Sequence, residues 1–181
     1  LADHITVLSF LGKEPNEKAI TALNLKELIY DKFKGFKRFQ VVVLVHGSAE
    51  ASVVELEKEL TNYEELKYWH FAYGDDSEIR NVYQSLKTKG ELNENLASDE
   101  VFIIDKERMQ RGRIDDRSDN EKKRDAEVYG LPSYNCIEVA ELKNKMGEDM
   151  RILFTEYRQK RKGNFNSTSR RGEDIKGNEE N

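Results

Sequence analysis

The chain has 181 residues, of which 37% are hydrophobic and 36% are charged, and its formal net charge at pH 7 is -5. This negative balance argues against a general nucleic-acid binder, which needs a basic surface to neutralise phosphates. The single cysteine, Cys136, excludes an intrachain disulfide and a cysteine-rich metal site. The length favours one domain, and the apolar residues are concentrated in periodic runs that indicate a folded core.

The first half of the chain alternates strand-like and helix-like runs. Residues 4–11 predict a strand, and the helix that follows has an apolar face made of Ile20, Leu23, Leu28, Ile29 and Phe33. Gly35 is expected to end this helix. Residues 39–45 are β-branched with little alternation, which is typical of a central strand covered on both faces. Ser48 is expected to cap the next helix, whose face contains Val53, Leu56 and Leu60.

The middle of the chain predicts two more strands with a helix between them. Residues 66–72 predict the third strand, and Asp75 or Asp76 then begins a helix with Ile79, Val82, Tyr83 and Leu86 at helical spacing. Residues 100–105 predict the fourth strand. This strand turns directly into residues 109–114, which favours a β-hairpin.

The last third of the chain is the most highly charged. Residues 115–127 are expected to form an exposed loop or a short solvated helix. A long helix is predicted from about residue 137 to 162, with an inward face of Val139, Leu142, Met146, Met150, Leu153, Phe154 and Tyr157. Residues 163–181 lack apolar periodicity, so a disordered charged tail is expected after a single domain over residues 1–162.

The order of these elements is β-α-β-α-β-α-β-β-α, which is that of a thioredoxin-like domain. Three strands joined by crossover helices, followed by a hairpin and a closing helix, predict an α/β fold. Right-handed crossovers give a mixed β-sheet with helices on both faces.

One stretch of sequence suggests a particular branch of that superfamily. The run Val-Phe-Ile-Ile-Asp-Lys-Glu at 101–107, followed by Arg111-Gly112-Arg113, resembles the strand-turn-strand of Sco/SenC proteins, especially the Sco-like proteins of Bacteroidetes. Phe10-Leu11-Gly12 lies where that family carries aromatic residues ahead of its Cys-x-x-x-Cys. The resemblance covers roughly residues 4–160. It implies an N-terminal hairpin and a membrane anchor upstream of Leu1, and hence a processed or truncated product.

The resemblance also implies where the family's copper site falls, and the ligands are absent. The two cysteines fall on Lys13 and Glu17, and the copper-ligand histidine falls on Ala97. Cu(I) prefers thiolate ligands, and deprotonating Lys13 to bind a metal costs about 4.6 kcal/mol at pH 7. Disulfide exchange likewise needs an attacking thiolate. No cofactor, copper chemistry or dithiol chemistry is therefore expected at this corner.

Three other residues are weaker candidates for a site. Cys136 lies at the predicted start of the last helix, where the helix dipole lowers a thiol pKa, but its apolar neighbours favour a half-buried structural position. His46 ends the central strand at the edge where open α/β sheets bind ligands, and His70 lies in the third strand. One hypothesis is that His46 and His70 bind a metal together with a carboxylate such as Asp75. The simpler interpretation is that both are surface histidines.

Two basic stretches are open to two interpretations each. Arg111 and Arg113 belong to a mixed-charge run that is either a loop closed by weak ion pairs or a surface for an anionic partner. The end of the last helix, residues 157–162, either complements the helix dipole or contacts anionic lipid headgroups. The chain contains no phosphate-binding glycine motif, and no Ser-His-Asp set is recognisable.

These patterns favour a non-catalytic Sco-like domain that binds or assembles protein partners in the bacterial cell envelope, tethered to a membrane. Its partner surface is expected to include Gly12–Glu17. The alternative is a metallochaperone or thiol enzyme with a rebuilt site that uses Cys136 or His46 and His70. A third hypothesis is a structural subunit of a larger envelope complex.

Overall fold

The computed structural model describes residues 3–61 and 65–162, so the predicted tail over residues 163–181 lies outside the described residues. Within those ranges six strands form one sheet. They are β1 (Ile5–Gly12), β2 (Phe39–His46), β3 (Trp69–Gly74), β4 (Ala97–Ile104), β5 (Gln110–Arg111) and β6 (Tyr134–Asn135).

The helical elements of the described residues include several short 3-10 and π turns. The first helical segment consists of a 3-10 turn (Pro15–Lys18), α1 (Ala19–Leu25), a π turn (Lys26–Tyr30) and α2 (Asp31–Phe33). A 3-10 turn (Gly47–Ala49) leads into α3 (Glu50–Thr61). The remaining helices are α4 (Asp76–Gln84), α5 (Asp119–Lys123), a π turn (Glu141–Met146) and α6 (Gly147–Arg161).

The strands are arranged in the order β3-β2-β1-β4-β5, and β6 also pairs with β4. β1, β2 and β3 run parallel to one another, whereas β4 is antiparallel to β1 and to its partners β5 and β6. Parallel neighbours need crossover connections, which α1 to α3 supply. The antiparallel strands β4 and β5 are joined by a tight turn. The topology confirms the predicted α/β, thioredoxin-like fold with a mixed sheet.

Helices cover both faces of the sheet, as predicted. The larger core lies under α1, α3 and α6 and includes Leu25, Leu56 and Met150. The smaller core lies under α4 and includes Ile79 and a triangle of rings formed by Phe10, Tyr83 and Phe102. Their centroids are 5.1 to 5.9 Å apart in edge-to-face geometry, which adds to the hydrophobic gain of burial.

The first helical segment turns most of the predicted face to the core: Ile29 and Phe33 are buried, and Leu23 and Leu28 pack against the same core. Its buried residues are Ala22, Leu25, Ile29, Tyr30 and Phe33, and Ile20 is 65% exposed. The prediction is wrong at Ile20, because the π turn at Lys26–Tyr30 inserts an extra residue into the helical period between Phe33 and Ile20. Val139 is also exposed, because it precedes the π turn that brings Leu142 and Met146 inward.

The return strand of the hairpin is interrupted, which the sequence analysis did not predict. β5 and β6 pair with neighbouring parts of β4, and residues 112–133 leave the sheet between them. Arg113 and Leu131 form an isolated bridge at the base of this excursion. A Cβ at Gly112 would lie 2.2 Å from the Leu131 carbonyl oxygen, so the close approach requires glycine. Within the predicted exposed segment, Asp119–Lys123 forms the short helix α5.

Candidate functional site

The corner after β1 is fixed by Gly12. Its φ of +61° lies in the left-handed region, and a Cβ there would lie 1.8 Å from the Asn95 carbonyl oxygen. The next residue, Lys13, donates its backbone N–H to the same oxygen at 2.7 Å. The loop before β4 is thereby held against the corner.

This contact brings together the three positions on which the Sco/SenC resemblance places copper ligands. Leu11 is paired with Ala97 across β1 and β4, and the Glu17 carboxylate accepts a hydrogen bond from Asn95 at 3.0 Å. Ala97 is buried, and its N–H donates to the Asn93 side chain. The corner therefore gathers Lys13, Glu17 and Ala97 in one place but offers neither sulfur nor imidazole.

A chain of hydrogen bonds links the corner to the ends of β2 and β3. The Lys13 ammonium lies 2.8 Å from Asp76 Oδ2, and Asp76 Oδ1 lies 3.2 Å from His46 Nε2. His46 Nδ1 lies 2.7 Å from Ser48 Oγ. The hydrogen bond from Lys13 lowers the pKa of Asp76, and the positive charge of Lys13 acts in the same direction against partial desolvation.

This chain contains a Ser-His-Asp set that the sequence analysis missed. His46 Nδ1 also accepts the Ser48 backbone N–H at 3.1 Å, so neutral His46 carries its proton on Nε2, facing Asp76. His46 thus caps the turn before α3, and the prediction that Ser48 is the cap is wrong. The sequence did contain a signal for this contact. His46 and Asp76 lie at the carboxyl ends of two neighbouring parallel strands, and these ends meet at one edge of the sheet.

The two histidines proposed as metal ligands are not brought together. His70 is opposite Val42, whereas His46 is opposite Gly74, four residues further along β3. That separation is about 13 Å along the strands. Asp75 accepts from the Glu78 N–H as the N-cap of α4. Residues 3–61 and 65–162 contain no group of three or more histidine, cysteine and acidic side chains placed to hold a metal.

Cys136 is fully buried, and the prediction that it is half-buried is wrong. It follows β6 and precedes the last helix, and its N–H donates to the Asp99 carbonyl at 2.8 Å. Burial raises the pKa of its thiol, and the negative charges of Asp99 and Glu141 raise it further. This environment opposes formation of the thiolate that metal binding and nucleophilic attack require.

Asp99 joins α1 to the sheet and was also missed. Its carboxylate accepts from Lys18 at 2.8 Å and from the Thr21 hydroxyl at 2.5 Å. Burial raises the pKa of Asp99, but the hydrogen bonds from Lys18 and Thr21 outweigh it, and the net shift is downward. One turn later, Asn24 donates to the Cys136 carbonyl at 3.0 Å. These contacts hold α1 beside the segment that leads into the last helix.

Arg111 and Arg113 do not form an exposed surface for an anionic partner, contrary to that hypothesis. Arg111 is 5% exposed, and its guanidinium lies 3.1 Å from Asp105 and 2.8 Å from Glu156. Arg113 lies 3.1 Å from Asp149 and also contacts Glu148. Both cations are neutralised inside the domain, where they join the hairpin to α6.

Four exposed apolar residues lie on α1 and on the two segments that contact the first helical segment, and we call them the α1 patch. Ile20 is 65% exposed, Val54 47%, Ile137 45% and Val139 49%. Asn16 contacts Glu55 at 3.0 Å, and Asn24 contacts Cys136, so α3 and the segment after β6 flank α1 on its two sides. The exposed carboxylates of Glu14, Glu17 and Glu138 lie in the same segments. The ammonium groups of Lys13 and Lys18 are paired with Asp76 and Asp99, so the rim of the patch carries a net negative charge.

Comparisons with known proteins give little beyond the fold. No protein-family model matches the chain, and no curated protein is significantly similar to it. A solved structure of a yeast mitochondrial 1-Cys peroxiredoxin, studied for its thiol resolving mechanism with glutathione and thioredoxin systems, has 13% sequence identity. The alignment covers 90% of this chain and 68% of the peroxiredoxin chain, with a TM-score of 0.43. No residue role is transferred from it.

Proposed function

We propose that this thioredoxin-like domain is a non-catalytic binding or assembly module whose partner surface is the α1 patch together with the loop Gly12–Glu17. The observation that carries the proposal is the exposure of Ile20, which is 65% exposed on the helix that follows the corner. An isolated exposed apolar residue is ordinary, but exposed apolar residues on three adjoining segments are what a protein-binding surface requires.

The polar groups at the corner are already engaged with one another. Lys13 is paired with Asp76, and Glu17 accepts from Asn95. His46 serves as a cap and Cys136 is buried, so neither supports the alternative of a rebuilt thiol or metal site. The partner that fits this surface is a protein segment with apolar side chains flanked by basic residues, because the rim of the patch is acidic.

The experiment compares proteins retained by the immobilised domain from an envelope extract of the source cells. Ile20→Asp places a charge in the centre of the patch, and Val128→Asp is the matched control, since Val128 is 55% exposed in the 112–133 excursion. We expect a partner that the wild type and Val128→Asp retain and Ile20→Asp loses. Equal retention by all three forms, or catalytic turnover in a thiol peroxidase or disulfide reductase assay, would refute the proposal.

We also propose membership of the Sco/SenC-like branch, a Bacteroidetes type of protein, a location in the cell envelope and a membrane tether upstream of Leu1. These rest on the resemblance of residues 101–113 and on the coincidence of Lys13, Glu17 and Ala97 at one corner. Among the described residues, no helix combines the length and the apolar character needed to cross a bilayer. Fractionation of the full-length product tests the location: recovery in the soluble cytoplasmic fraction would contradict it.

A further inference from the structure

The end of the sheet opposite the corner holds a cation-lined cavity of about 530 Å³. Arg38 precedes β2, Lys106 follows β4, and Lys160 and Arg161 lie at the end of α6. The Asp3 N–H donates to the Lys106 carbonyl at 3.2 Å, and the Ile5 N–H donates to the Arg38 carbonyl at 2.8 Å. These bonds join the three loops at the amino end of β1, about 23 Å from the corner at its carboxyl end.

The cavity gathers more positive than negative charge. Among the described residues, four cations line it against two carboxylates. Asp3 pairs with Arg38, and Glu107 accepts from the Tyr157 hydroxyl, so Lys106, Lys160 and Arg161 carry the excess positive charge. The Lys106 and Lys160 ammonium groups lie over the Tyr157 ring at 4.7 and 5.1 Å. Cation–π attraction to this one ring holds both ammonium groups at the cavity.

This concentration of charge has an electrostatic cost. Partial burial lowers the pKa of Lys106, and the nearby positive charges of Arg38 and Arg161 lower it further. A bound anion relieves such repulsion, because it supplies the charge of opposite sign that the cavity lacks.

The backbone at the cavity is strained in the same place. Asp3 and Arg38 both have a φ of +66°, in the left-handed region that residues with a Cβ adopt at a cost. Conformations of this kind persist where the surrounding structure holds them, and they concentrate at ligand-binding sites. Here they place the Asp3–Arg38 pair in the lining of the cavity.

We propose that this cavity binds a phosphate group, with Arg38, Lys106, Lys160 and Arg161 as its cationic ligands. Guanidinium groups match phosphate oxygens through paired hydrogen bonds, and the ammonium groups add point charges. The volume leaves room for the molecule that carries the phosphate. A soluble phosphate ester and a lipid headgroup share this chemistry. The site is separate from the α1 patch, so this proposal does not depend on the proposed partner surface.

The test is calorimetric titration of the domain with inorganic pyrophosphate at low ionic strength. The double variant Lys106→Gln/Lys160→Gln is compared with Lys122→Gln/Lys123→Gln, which removes the same charge from exposed positions on α5. We expect saturable binding by the wild type and the control, and at least about a tenfold loss of affinity in the cavity variant. Thermal unfolding of both variants checks that they remain folded.

Vesicles of phosphatidylcholine with and without phosphatidic acid distinguish the two sources of phosphate. Binding to phosphatidic acid that pyrophosphate displaces would support a lipid headgroup as the source. Pyrophosphate binding without vesicle binding would support a soluble phosphate ester. Absence of saturable pyrophosphate binding, or an equal affinity in the cavity variant and the control, would overturn the proposal.

Discussion

Glu100, in β4, is a half-buried carboxylate that organises the loops around it. It accepts hydrogen bonds from the Tyr83, Thr88 and Ser133 hydroxyls and from the backbone N–H groups of Lys89 and Gly90. Burial raises the pKa of Glu100, but these hydrogen bonds outweigh it and the net shift is downward. One carboxylate thus holds the 86–92 loop and the base of the 112–133 excursion to the same strand.

Glu100→Gln tests this role through pH. Because the folded pKa lies below the unfolded one, Glu100 contributes stability above the unfolded pKa and loses it as the pH falls through the folded value. We expect the variant to lose about 1 to 3 kcal/mol of unfolding free energy at neutral pH. The difference from the wild type should shrink on acidification. Urea unfolding across a pH series measures both effects, with exposed Glu91→Gln as control, and a constant difference would contradict the argument.

Arg111 is the second residue on which the interior depends. It lies between Asp105 and Glu156, and its removal leaves carboxylates without their cation in a buried site. We expect Arg111→Ala to reduce the unfolding free energy by about 3 to 5 kcal/mol. Arg158→Ala, on the exposed face of α6, should change it little. Equal midpoints in chemical denaturation for the two variants would contradict the assigned role of Arg111.

At the scale of elements, the β1 corner depends on one glycine. Gly12→Ala places a Cβ against the Asn95 carbonyl and forces a positive φ on alanine. We expect a loss of at least about 2 kcal/mol in unfolding free energy. Gly35→Ala is the matched control, because nothing lies within 4 Å of its added methyl group. A Gly12→Ala protein as stable as the control would show that the corner is not held as described.

The packing of β6 against β4 buries Cys136, and thiol chemistry measures that packing. We expect the native thiol to react with an aromatic disulfide reagent at least about a hundredfold more slowly than in denaturant, because reaction requires local opening. Burial also keeps the thiol protonated. A native rate equal to that of an unperturbed thiol would contradict the buried placement and revive the thiol-enzyme hypothesis.

The strands and their order could be predicted from sequence because their apolar runs are short, β-branched and separated by clear turns. The exposure of Ile20 on the first helix could not be predicted, because the π turn at Lys26–Tyr30 changes the helical period midway. The burial of Arg111 escaped prediction for a different reason. Its partner Glu156 is distant in the chain, and only the tertiary structure brings their charges together. The His46–Asp76 contact also depends on tertiary structure, because it forms only when β2 and β3 pair. The positions of both residues at strand ends were the one indication of it in the sequence.

At the scale of the whole molecule, the parallel strands separate two surfaces of different character. The carboxyl end of β1 carries the acidic-rimmed α1 patch, and its amino end carries the cationic cavity. The two proposals place a protein partner at one end of the sheet and a phosphate group at the other, so the two ligands do not contact each other. In both proposals the sheet serves only to hold the binding residues in place.

The most direct test of the central claim is a Cu(I) titration against a competing chelator, on the wild type and on Lys13→Cys/Glu17→Cys. The corner places these positions where the Sco/SenC resemblance expects two copper ligands, so the variant should bind one Cu(I) tightly. The wild type should show only weak surface association, because Cu(I) prefers thiolates and the one thiol is buried. Tight one-to-one binding by the wild type would contradict the account, and a variant without tight binding would show that the corner is not the family's copper site.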